Sequence, residues 1–235
     1  MTGTALVRLT EIDSTNEEAR RRAEAGEPGP LWITAARQTA GRGRRGRTWQ
    51  MAEGNLAATL LLRCGGDAAQ LSFVAALAVA DLAAHFAPAA NIAVKWPNDV
   101  LADGRKLAGI LLEAGQHPAP WIAIGMGVNL TAFPPGTEFP ATAIAALGVV
   151  PPSPDAALAV LMDRFAHWHH RWREEGFAPL RAAWLARAQG LGNPIRARLP
   201  HEERRGLFEG IDASGALLLR EGAGVTAIQA GEVFF

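Results

Sequence analysis

The spacing of hydrophobic and polar positions changes along the chain, and near its start the spacing predicts a helix. Ser14, Thr15 and Asn16 are residue types that cap helices, and a helical pattern follows them to about Gly26. Glu17 stands three residues after Ser14, which is the spacing of a capping box. We therefore expect the side chain of Ser14 to close the first turn of this helix.

The longest apolar stretch, Leu71–Phe86, is rich in alanine and contains Asp81 and His85. A membrane-spanning helix needs about 20 predominantly apolar residues. The interrupted stretch therefore predicts a helix buried in a protein core, with Asp67 as its expected N-cap.

Shorter apolar runs bounded by turn residues predict strands. These runs occupy residues 31–36, 55–63, 92–96, 100–113 and 121–126. The run 100–113 contains Asp103-Gly104, a two-residue turn signal, and is expected to fold into a hairpin. These strands stand among the predicted helices, so the first part of the chain should contain both element types.

The last third of the chain changes from helical to strand-like spacing. Ser153 followed by Pro154 predicts a helix to about residue 175, and residues 178–188 continue in helical register. Residues 190–194 break the pattern, and after them come short alternating runs separated by glycine-bearing turns, as in a small β-barrel. We predict one domain over residues 1–189 and a second over 190–235, which is too short to be stable without packing on the first.

Composition and charge exclude several classes of protein for this chain. The 235 residues include 23 basic and 23 acidic side chains, so the chain lacks the overall positive field of general nucleic-acid or anionic-membrane binders. Cys64 is the only cysteine, which excludes a disulfide or a cysteine-based zinc site within the chain. Glu11 and Asp13 stand where a secretory signal would be apolar, and we expect a cytoplasmic protein.

The basic residues are unevenly divided. Of the 23 basic residues 21 are arginine, and the two lysines, Lys95 and Lys106, stand eleven positions apart. An arginine bias can reflect genomic base composition alone. Two lysines in one short segment nevertheless favour a chemical role for the ammonium group.

A glycine- and arginine-rich loop at residues 41–47 has the letters of the dinucleotide fingerprint G-x-G-x-x-G. We reject that interpretation, because such a loop should open a helix, whereas Trp49 and the apolar run after Asn55 predict a strand. Guanidinium groups on a close-approaching backbone are suited to holding two anions together. The alternatives are a solvated basic loop and an Arg-Gly nucleic-acid tether, while Trp49 could stack on a purine or anchor the loop in the core.

The segment Lys95-Trp96-Pro97-Asn98-Asp99 precedes the predicted hairpin. Pro97 fixes a turn after a strand, and the hairpin returns Lys106 on the neighbouring strand. Two amines and the Asn98 carboxamide could thus converge on one pocket. The alternative is an ordinary turn with two surface lysines.

Residues 125–129, Gly-Met-Gly-Val-Asn, end a predicted strand, where glycines allow close approach of a ligand and Asn129 offers a donor and an acceptor.

Further along the chain, the three histidines His167, His169 and His170 could suggest a metal site. No cluster of carboxylates accompanies the histidines, so an ordinary amphipathic helix is favoured.

Taken in order, these segments resemble the biotin-protein ligase family over nearly the whole chain. They are Ser14-Thr15-Asn16, Gln38, the loop 41–47 with Trp49, K-W-P-N-D at 95–99, R-K-L-A-G-I-L at 105–111 and G-x-G-x-N at 125–129. The resemblance implies an α+β fold, with a mixed sheet and helices like those of class II aminoacyl-tRNA synthetases and lipoate ligases. A small C-terminal barrel of the Src-homology-3 type would follow it.

The resemblance also implies roles for individual residues. The residues implied to bind biotin are Ser14, Thr15, Asn16, Gln38, Arg42, Gly43, Arg44, Lys106 and Gly109. Those implied to bind ATP are Arg44, Arg47, Trp49, Asn98, Lys106 and Asn129. Lys106, Arg42 and Arg44 are implied to be catalytic, and the arginine loop to order over bound biotin. All of these motifs precede Gly190, which places the adenylation site in the first domain.

The activity implied is ATP-dependent formation of biotinyl-5'-adenylate and transfer of biotin to a lysine of a biotin carboxyl carrier protein. Magnesium is expected with ATP, but its ligands are not identified by the sequence. Only thirteen residues precede Ser14, so we expect no DNA-binding domain and no DNA partner; no membrane partner is expected, and a homodimer is plausible. This sequence departs from the family's pattern at Ala143, where the family would have a serine.

Two other functions remain as alternatives. A lipoate-protein ligase would share the fold and the reaction, but its R-R-x-x-G-G-G type of signature is not found in this sequence. An RNA-binding regulator would use the Arg-Gly loop, and the neutral overall charge argues against it.

Overall fold

The computed structural model describes residues 4–63 and 68–235. Within them the chain forms twelve strands in two sheets. The strands are β1 (Ala5–Ile12), β2 (Leu31–Gln38), β3 (Leu56–Arg63), β4 (Ile92–Lys95), β5 (Asp99–Ala102), β6 (Arg105–Gly115), β7 (Trp121–Val128), β8 (Pro194–Arg198), β9 (Glu203–Ile211), β10 (Leu217–Glu221), β11 (Gly224–Ile228) and β12 (Glu232–Phe234).

The same residues contain four α-helices and three short 3₁₀ turns. The α-helices are α1 (Thr15–Glu24), α2 (Leu71–Phe86), α3 (Pro154–Glu175) and α4 (Phe177–Leu185), and the 3₁₀ turns lie at Arg44–Gly46, Ala68–Gln70 and Ile144–Leu147. The predicted helices and the predicted strands of the first domain are confirmed, with ends shifted by a few residues.

The larger sheet has seven strands in the order β1-β2-β3-β7-β6-β5-β4. Strands β1 and β2 are parallel and the remaining pairs are antiparallel, so the predicted mixed sheet is confirmed. Sequence analysis missed β1, because this edge strand carries Arg8, Thr10 and Glu11 among its apolar residues and is only partly buried. Its polar positions conceal the strand periodicity.

Helix α2 is buried in the core, as its composition predicts. By length and hydropathy the helical segment Ala68–Phe86 could cross a membrane, but 67% of its apolar window is buried inside the protein. Helix α3 packs on α2, and Trp32 of the sheet contacts Phe165 of α3 edge to face with ring centroids 5.8 Å apart. The apolar length of α2 is therefore explained by protein packing.

The predicted N-terminal cap is found at α3 and is not found at α1. Ser153 caps α3 as predicted, because its hydroxyl accepts a hydrogen bond from the Ala156 N–H at 3.2 Å. Ser14 does occupy the N-cap position of α1, but its side chain makes no cap hydrogen bond, so the predicted capping box is wrong. Glu17 instead pairs with Arg20 and Arg42. The predicted cap of α2, Asp67, lies outside the described residues.

The predicted hairpin forms between β5 and β6. Asp103 and Gly104 both adopt positive φ, 49° and 74°, as a two-residue hairpin turn requires. The pairing shifts register between Val100 and Leu101. The hairpin carries Lys106 back beside Asp99, at the edge of the cavity described below.

The C-terminal strands form one antiparallel sheet in the order β11-β10-β9-β8-β12. Strands β8 to β11 match the alternating runs that the sequence predicts at residues 195–199, 205–211, 216–220 and 225–229. Strand β12 was not predicted, because three residues give too little pattern. The sheet packs on the first domain, where the Trp96 indole N–H donates to the Gly215 carbonyl at 3.0 Å and Arg181 Nε donates to the Ile211 carbonyl at 2.5 Å. The packing on the first domain that this short unit was expected to need is therefore present, and its dependence on that packing stays a prediction.

Two alanine substitutions test the assignment of the caps. Ser153→Ala removes an acceptor from the first turn of α3 and should lower the free energy of unfolding by about 1 kcal/mol. Ser14→Ala removes no cap hydrogen bond and should change it by less than about 0.5 kcal/mol. Urea denaturation of both variants provides the measurement, and an equal loss in the two would contradict the assignment.

Candidate active site

A cavity of about 430 Å³ lies between the basic loop, the hairpin, the end of β7 and the C-terminal strand. The structure brings every residue assigned to the site in the sequence analysis to the wall of this cavity. They are Ser14, Thr15, Asn16, Gln38, Arg42, Gly43, Arg44, Arg47, Trp49, Asn98, Lys106, Gly109 and Asn129. Residues 115 positions apart in sequence thus surround one space.

One end of the cavity is lined by neutral polar side chains. Thr15 and Asn16 are buried at the start of α1, and the Thr15 N–H donates to Gln38 Oε1 at 2.8 Å. The Asn16 amide donates to the Glu113 carboxylate at 2.9 Å and to the Leu111 carbonyl at 3.3 Å. This end therefore offers fixed hydrogen-bonding groups with little charge.

The basic loop is closed by its own backbone. The Gly43 N–H donates to the Arg47 carbonyl at 2.7 Å, and the Trp49 N–H donates to the Gly41 carbonyl at 2.9 Å. A Cβ at Gly41 would overlap the Trp49 carbonyl, so this approach requires glycine. Arg45 has a left-handed backbone with φ 57°, and no dinucleotide-type helix follows the loop. The rejection of the dinucleotide interpretation is confirmed.

Carboxylates hold the arginines at one side of the loop. Arg42 donates to Glu17 Oε2 at 2.6 Å and to Glu113 Oε1 at 2.5 Å. Neither carboxylate was assigned to the site from the sequence, where Glu17 was expected only to cap a helix. A guanidinium that faces two carboxylates is held at the rim of the cavity before any ligand enters.

Arg44 points toward the hairpin instead. Its Nη1 donates to Asn98 Oδ1 at 3.1 Å, and the Asn98 amide donates to the Ile110 carbonyl at 2.6 Å. Burial lowers the pKa of Arg44, and the charge of Arg45 adds to this shift. The guanidinium is nevertheless charged, since arginine remains protonated in proteins.

Lys95, Asp99 and Lys106 form a compact charged cluster on the hairpin. The Lys106 ammonium lies 2.7 Å from Asp99 Oδ1, and the Lys95 ammonium lies 3.9 Å from Asp99 Oδ2. The Asp99 Oδ1 atom is buried and has no partner in hydrogen-bonding geometry, so its short contact with the Lys106 ammonium is an ion pair. Asp99 therefore holds Lys106, which is only partly exposed, within the cavity wall.

Lys95 is the more deeply buried of the two lysines. Its ammonium lies 3.8 Å from the centroid of the Phe139 ring, which is a cation–π contact. Burial lowers the pKa of Lys95, with a further lowering from Lys106 that the charge of Asp99 opposes. The expected convergence of two amines and a carboxamide is therefore found, together with a carboxylate between the amines.

Trp49 lies on a platform of glycines. A Cβ built at Gly127 would overlap its indole ring, and one at Gly109 would lie 3.2 Å from it. Neighbouring β7 and β6 pair these two glycines directly. Absence of side chains at two paired positions lets the ring lie flat against the sheet and keeps it at the cavity wall.

Asn129 is buried at the end of β7, where its amide donates to the Thr142 carbonyl at 3.0 Å. Segment 140–142 runs beside Lys106, whose N–H donates to the Pro140 carbonyl at 2.7 Å. Ala143 next to it is fully buried in the core. The missing serine at this position therefore removes no group from the cavity wall.

The C-terminal sheet contributes to the cavity, contrary to the expectation that the site lies wholly before Gly190. Glu232 of β12 lines the cavity and pairs with Arg47 of the basic loop. Its other oxygen accepts from Arg198 at 2.5 Å, and Arg198 also binds Glu138 at 2.7 Å. Two segments of the first domain are thus tied to the second.

Burial alone would raise the pKa of Glu232, but the hydrogen bond from Arg198 and the charge of Arg47 outweigh it, so the pKa is lowered. Sequence analysis missed this carboxylate because it stands alone in a short terminal strand. Asp99 was given no role from the sequence, and Lys95 was expected near the pocket but was not assigned to bind a ligand. A signal for Asp99 was its place between the two lysines.

The histidines of α3 stand on a helix that packs against the core, and one of them contacts a core ring. His169 stacks on Phe165 with centroids 5.8 Å apart, and burial together with the charge of Arg173 lowers its pKa. Residues 4–63 and 68–235 contain no group of three or more histidine, cysteine, aspartate or glutamate side chains placed to hold a metal ion. The preference for an ordinary helix over a metal site agrees with this packing.

Comparison with known proteins identifies the class. Residues 9–129 match the model of the biotin/lipoate A/B protein ligase family, and residues 190–235 match the biotin protein ligase C-terminal domain. The chain therefore belongs to the biotin/lipoate A/B protein ligase family.

Individual relatives narrow the comparison to one branch of that family. The chain is 50% identical to a biotin–[acetyl-CoA-carboxylase] ligase of Paracoccus denitrificans, covering 97% of this chain and 99% of the relative. It is 34% identical to the ligase of the same name from Mycobacterium tuberculosis, covering 96% and 86%. The structure of a biotin protein ligase from Aquifex aeolicus in complex with biotin and ATP is similar with a TM-score of 0.85 and 26% identity, covering 98% and 97%.

The contact between Glu232 and Arg47 yields a prediction for the free protein. Glu232→Gln weakens the half-exposed ion pair with Arg47, worth up to about 1 kcal/mol, together with the contacts to Arg45 and Arg198. Amide hydrogen exchange in residues 41–47 should therefore accelerate up to about fivefold. Glu209→Gln is the matched control, because Glu209 pairs with Arg220 inside the C-terminal sheet. Equal exchange in the wild type and the Glu232 variant would show that this pair does not hold the loop.

Proposed function

We propose that the chain is a biotin-protein ligase that activates biotin with ATP and transfers the biotinyl group to a lysine of a biotin carboxyl carrier protein. The observation that carries the proposal is a single cavity with neutral hydrogen-bonding groups at one end and Arg44, Arg47 and Lys106 toward the other. Arg42 stands at the rim, tied through Glu113 to the neutral end. Biotin has the same division, with a polar ureido ring at one end and a carboxylate at the other.

The neutral end suits the ureido ring. Ser14, Thr15, Asn16 and Gln38 supply hydroxyl and amide groups, and Gly109 leaves room for the aliphatic chain beside Trp49. A site made of fixed polar groups discriminates strongly against ligands that cannot fill its hydrogen bonds, because the groups are then left buried and unpaired. This chemistry favours biotin over the apolar dithiolane of lipoate.

The basic end suits the reacting anions. The biotin carboxylate oxygen attacks the α-phosphorus of ATP, the bond from that phosphorus to the bridging oxygen breaks, and pyrophosphate leaves. Two like charges about 4 Å apart repel by about 4 kcal/mol under conditions typical of a protein surface. We assign Lys106, Arg42 and Arg44 to offset this repulsion, with Gly43 allowing close backbone approach.

The nucleotide is assigned to the walls around the glycine platform. Trp49 offers a flat ring, Asn98 and Asn129 offer amides, and Arg47 is positioned for a phosphate after exchange of its Glu232 contact. ATP enters as its magnesium complex, and the ion offsets phosphate charge. Magnesium commonly keeps several waters and binds through substrate phosphates, which fits a cavity whose carboxylates are engaged by lysine or arginine.

The second step needs a protected intermediate. A lysine amine of the carrier attacks the acyl carbon of biotinyl-5'-adenylate, the bond from that carbon to the phosphate oxygen breaks, and AMP leaves as the amine loses a proton. Water would compete for the same carbon. We assign water exclusion to the loop 41–47, whose arginines can exchange Glu17, Glu113 and Glu232 for substrate anions.

The acceptor is the carrier of a biotin-dependent carboxylase, as the names of the relatives indicate for those proteins. A homodimer, a cytoplasmic location and function without DNA or membrane contact remain predictions. The direct experiment is incubation of the chain with biotin, ATP and an apo-carrier domain. Mass spectrometry should find one biotinylated carrier lysine, and no modification in the complete reaction would refute the proposal.

Lys106 generates the sharpest mutational prediction. Loss of a preorganised charge at a developing anionic centre typically slows a reaction about 100- to 1000-fold, so Lys106→Ala should slow adenylate formation by that amount. Lys106→Arg should recover little, because a planar fork is wider than a point charge and demands its own geometry. The measurement is single-turnover formation of biotinyl-adenylate at saturating biotin and ATP.

Arg105→Ala is the control for this series, since Arg105 is the exposed neighbour of Lys106. It should retain wild-type rates. A near-normal rate in Lys106→Arg would refute the point-charge argument, and a near-normal rate in Lys106→Ala would remove Lys106 from the mechanism.

Two glycines on one face of β7 should separate the substrates. A Cβ at Gly125 would overlap Asn16 Oδ1, whereas a Cβ at Gly127 would overlap the Trp49 ring. Gly125→Ala should therefore raise KM for biotin at least tenfold with a smaller change for ATP, and Gly127→Ala should do the reverse. Steady-state kinetics with each substrate varied provide the measurement, and identical profiles for the two variants would contradict the division of the cavity.

A further inference from the structure

A buried hydroxyl that no sequence motif selects lies beneath the neutral end of the cavity. Thr59 of β3 is fully buried, and its Oγ1 lies 2.7 Å from Asn16 Oδ1 and 2.8 Å from Thr15 Oγ1. Both neighbours line the cavity, whereas Thr59 does not. Its position allows it to act on a ligand only through them.

The orientation of the Asn16 amide is fixed by its other partners. Its Nδ2 donates to Glu113 Oε2 at 2.9 Å and to the Leu111 carbonyl at 3.3 Å, and both of these are acceptors. A reversed amide would place oxygen against oxygen at both contacts. Gly125 lies so close to the amide that only the absence of a side chain accommodates it. The Asn16 Oδ1 atom must therefore face Thr59.

Counting hydrogens then fixes the two hydroxyl groups. Asn16 Oδ1 can only accept, so the single hydrogen of the Thr59 hydroxyl is donated to it. The oxygens of Thr59 and Thr15 are 2.8 Å apart, a distance that is repulsive unless a hydrogen lies between them. That hydrogen must come from Thr15.

Gln38 does not compete for this hydrogen on equal terms. Its Oε1 lies 3.1 Å from Thr15 Oγ1 but already accepts the Thr15 backbone N–H at 2.8 Å. The Thr15 hydroxyl has one hydrogen and can donate to one acceptor. If it donated to Gln38, the shorter contact between Thr15 and Thr59 would have no hydrogen. Thr15 donating to Thr59 therefore fills both short contacts of the Thr59 hydroxyl, and only the longer 3.1 Å contact between Thr15 Oγ1 and Gln38 Oε1 lacks a hydrogen.

We propose that Thr59 and Glu113 are positioning residues that hold the Thr15 oxygen as a hydrogen-bond acceptor for an N–H group of the cyclic urea of biotin. This inference rests on the proposed function. With its hydrogen directed to Thr59, the Thr15 oxygen presents lone pairs to the cavity, and the ureido nitrogens of biotin carry hydrogens that need an acceptor. An alcohol or ether oxygen on a ligand at this position would be rejected.

Glu113 gives this chain of hydrogen bonds a link to the loop. Its Oε2 fixes Asn16, while its Oε1 accepts from Arg42 at 2.5 Å. The same carboxylate therefore orders the floor of the biotin end and the arginine at the rim. A floor prepared before the ligand arrives lowers the cost of binding, because fewer groups must be ordered at that moment.

The test uses Thr59→Val, which keeps the shape of the side chain, and Thr59→Ser, which keeps the hydroxyl. Thr59→Val should raise Kd for biotin about tenfold, the worth of one hydrogen bond, with KM for ATP unchanged. Thr59→Ser should bind within about threefold of the wild type. Isothermal titration calorimetry measures the affinities. Thr59→Val also leaves Asn16 Oδ1 unpaired in the free and the bound protein alike, so that cost lowers the free energy of unfolding and does not change Kd.

A double-mutant cycle separates this mechanism from a loss of packing. Thr15→Val should also weaken biotin about tenfold, and the Thr15→Val/Thr59→Val protein should be no weaker than Thr15→Val alone, because Thr59 acts through Thr15. A hundredfold loss in the double variant, equal losses in Thr59→Ser and Thr59→Val, or unchanged binding in Thr59→Val would each overturn the inference. A wild-type chain that binds no biotin would instead overturn the proposed function.

Discussion

The pairing of cavity cations with protein carboxylates is the interaction on which the rest of the site depends. Lys106 is held by Asp99, Arg42 by Glu17 and Glu113, and Arg47 by Glu232. Several cations around one cavity would repel each other in the absence of ligand, and these carboxylates offset that repulsion while keeping each cation in place. In the proposed function, substrate anions exchange for these carboxylates instead of entering an unorganised basic pocket, so little reorganisation is needed when charge develops.

The strand β6 connects this electrostatic arrangement to the fold. Along its length it carries Lys106 at the reacting end, Gly109 under the Trp49 ring and Glu113 at the neutral end. Its neighbours in the sheet extend the same wall, since β7 contributes two glycines and β5 contributes Asp99. Because these groups stand on paired strands in one sheet, their separations are set by backbone geometry and are less variable than those of loop residues.

Sequence reasoning found the residues that stand in dense motifs and missed those that act alone. The loop 41–47 and the two lysines can be recognised from their unusual local composition. The turn signal at Asp103-Gly104 predicts which strand returns beside Asp99. Thr59 has no such signal, because a threonine in an apolar strand reads as a strand former whatever its hydroxyl does. Glu232 lies 185 residues from Arg47, and only the packing of the C-terminal sheet on the first domain brings the two together.

The central claim is that one cavity joins a ureido-binding end to an anion-activating end, so that ATP is cleaved only when the correct carboxylic acid is bound. Its most direct test is the rate of pyrophosphate release from ATP by the wild-type chain with biotin, with lipoate and with neither. The account predicts rapid release with biotin and only background release in the other two reactions. Equal release with lipoate, or release that needs no carboxylic acid, would contradict it.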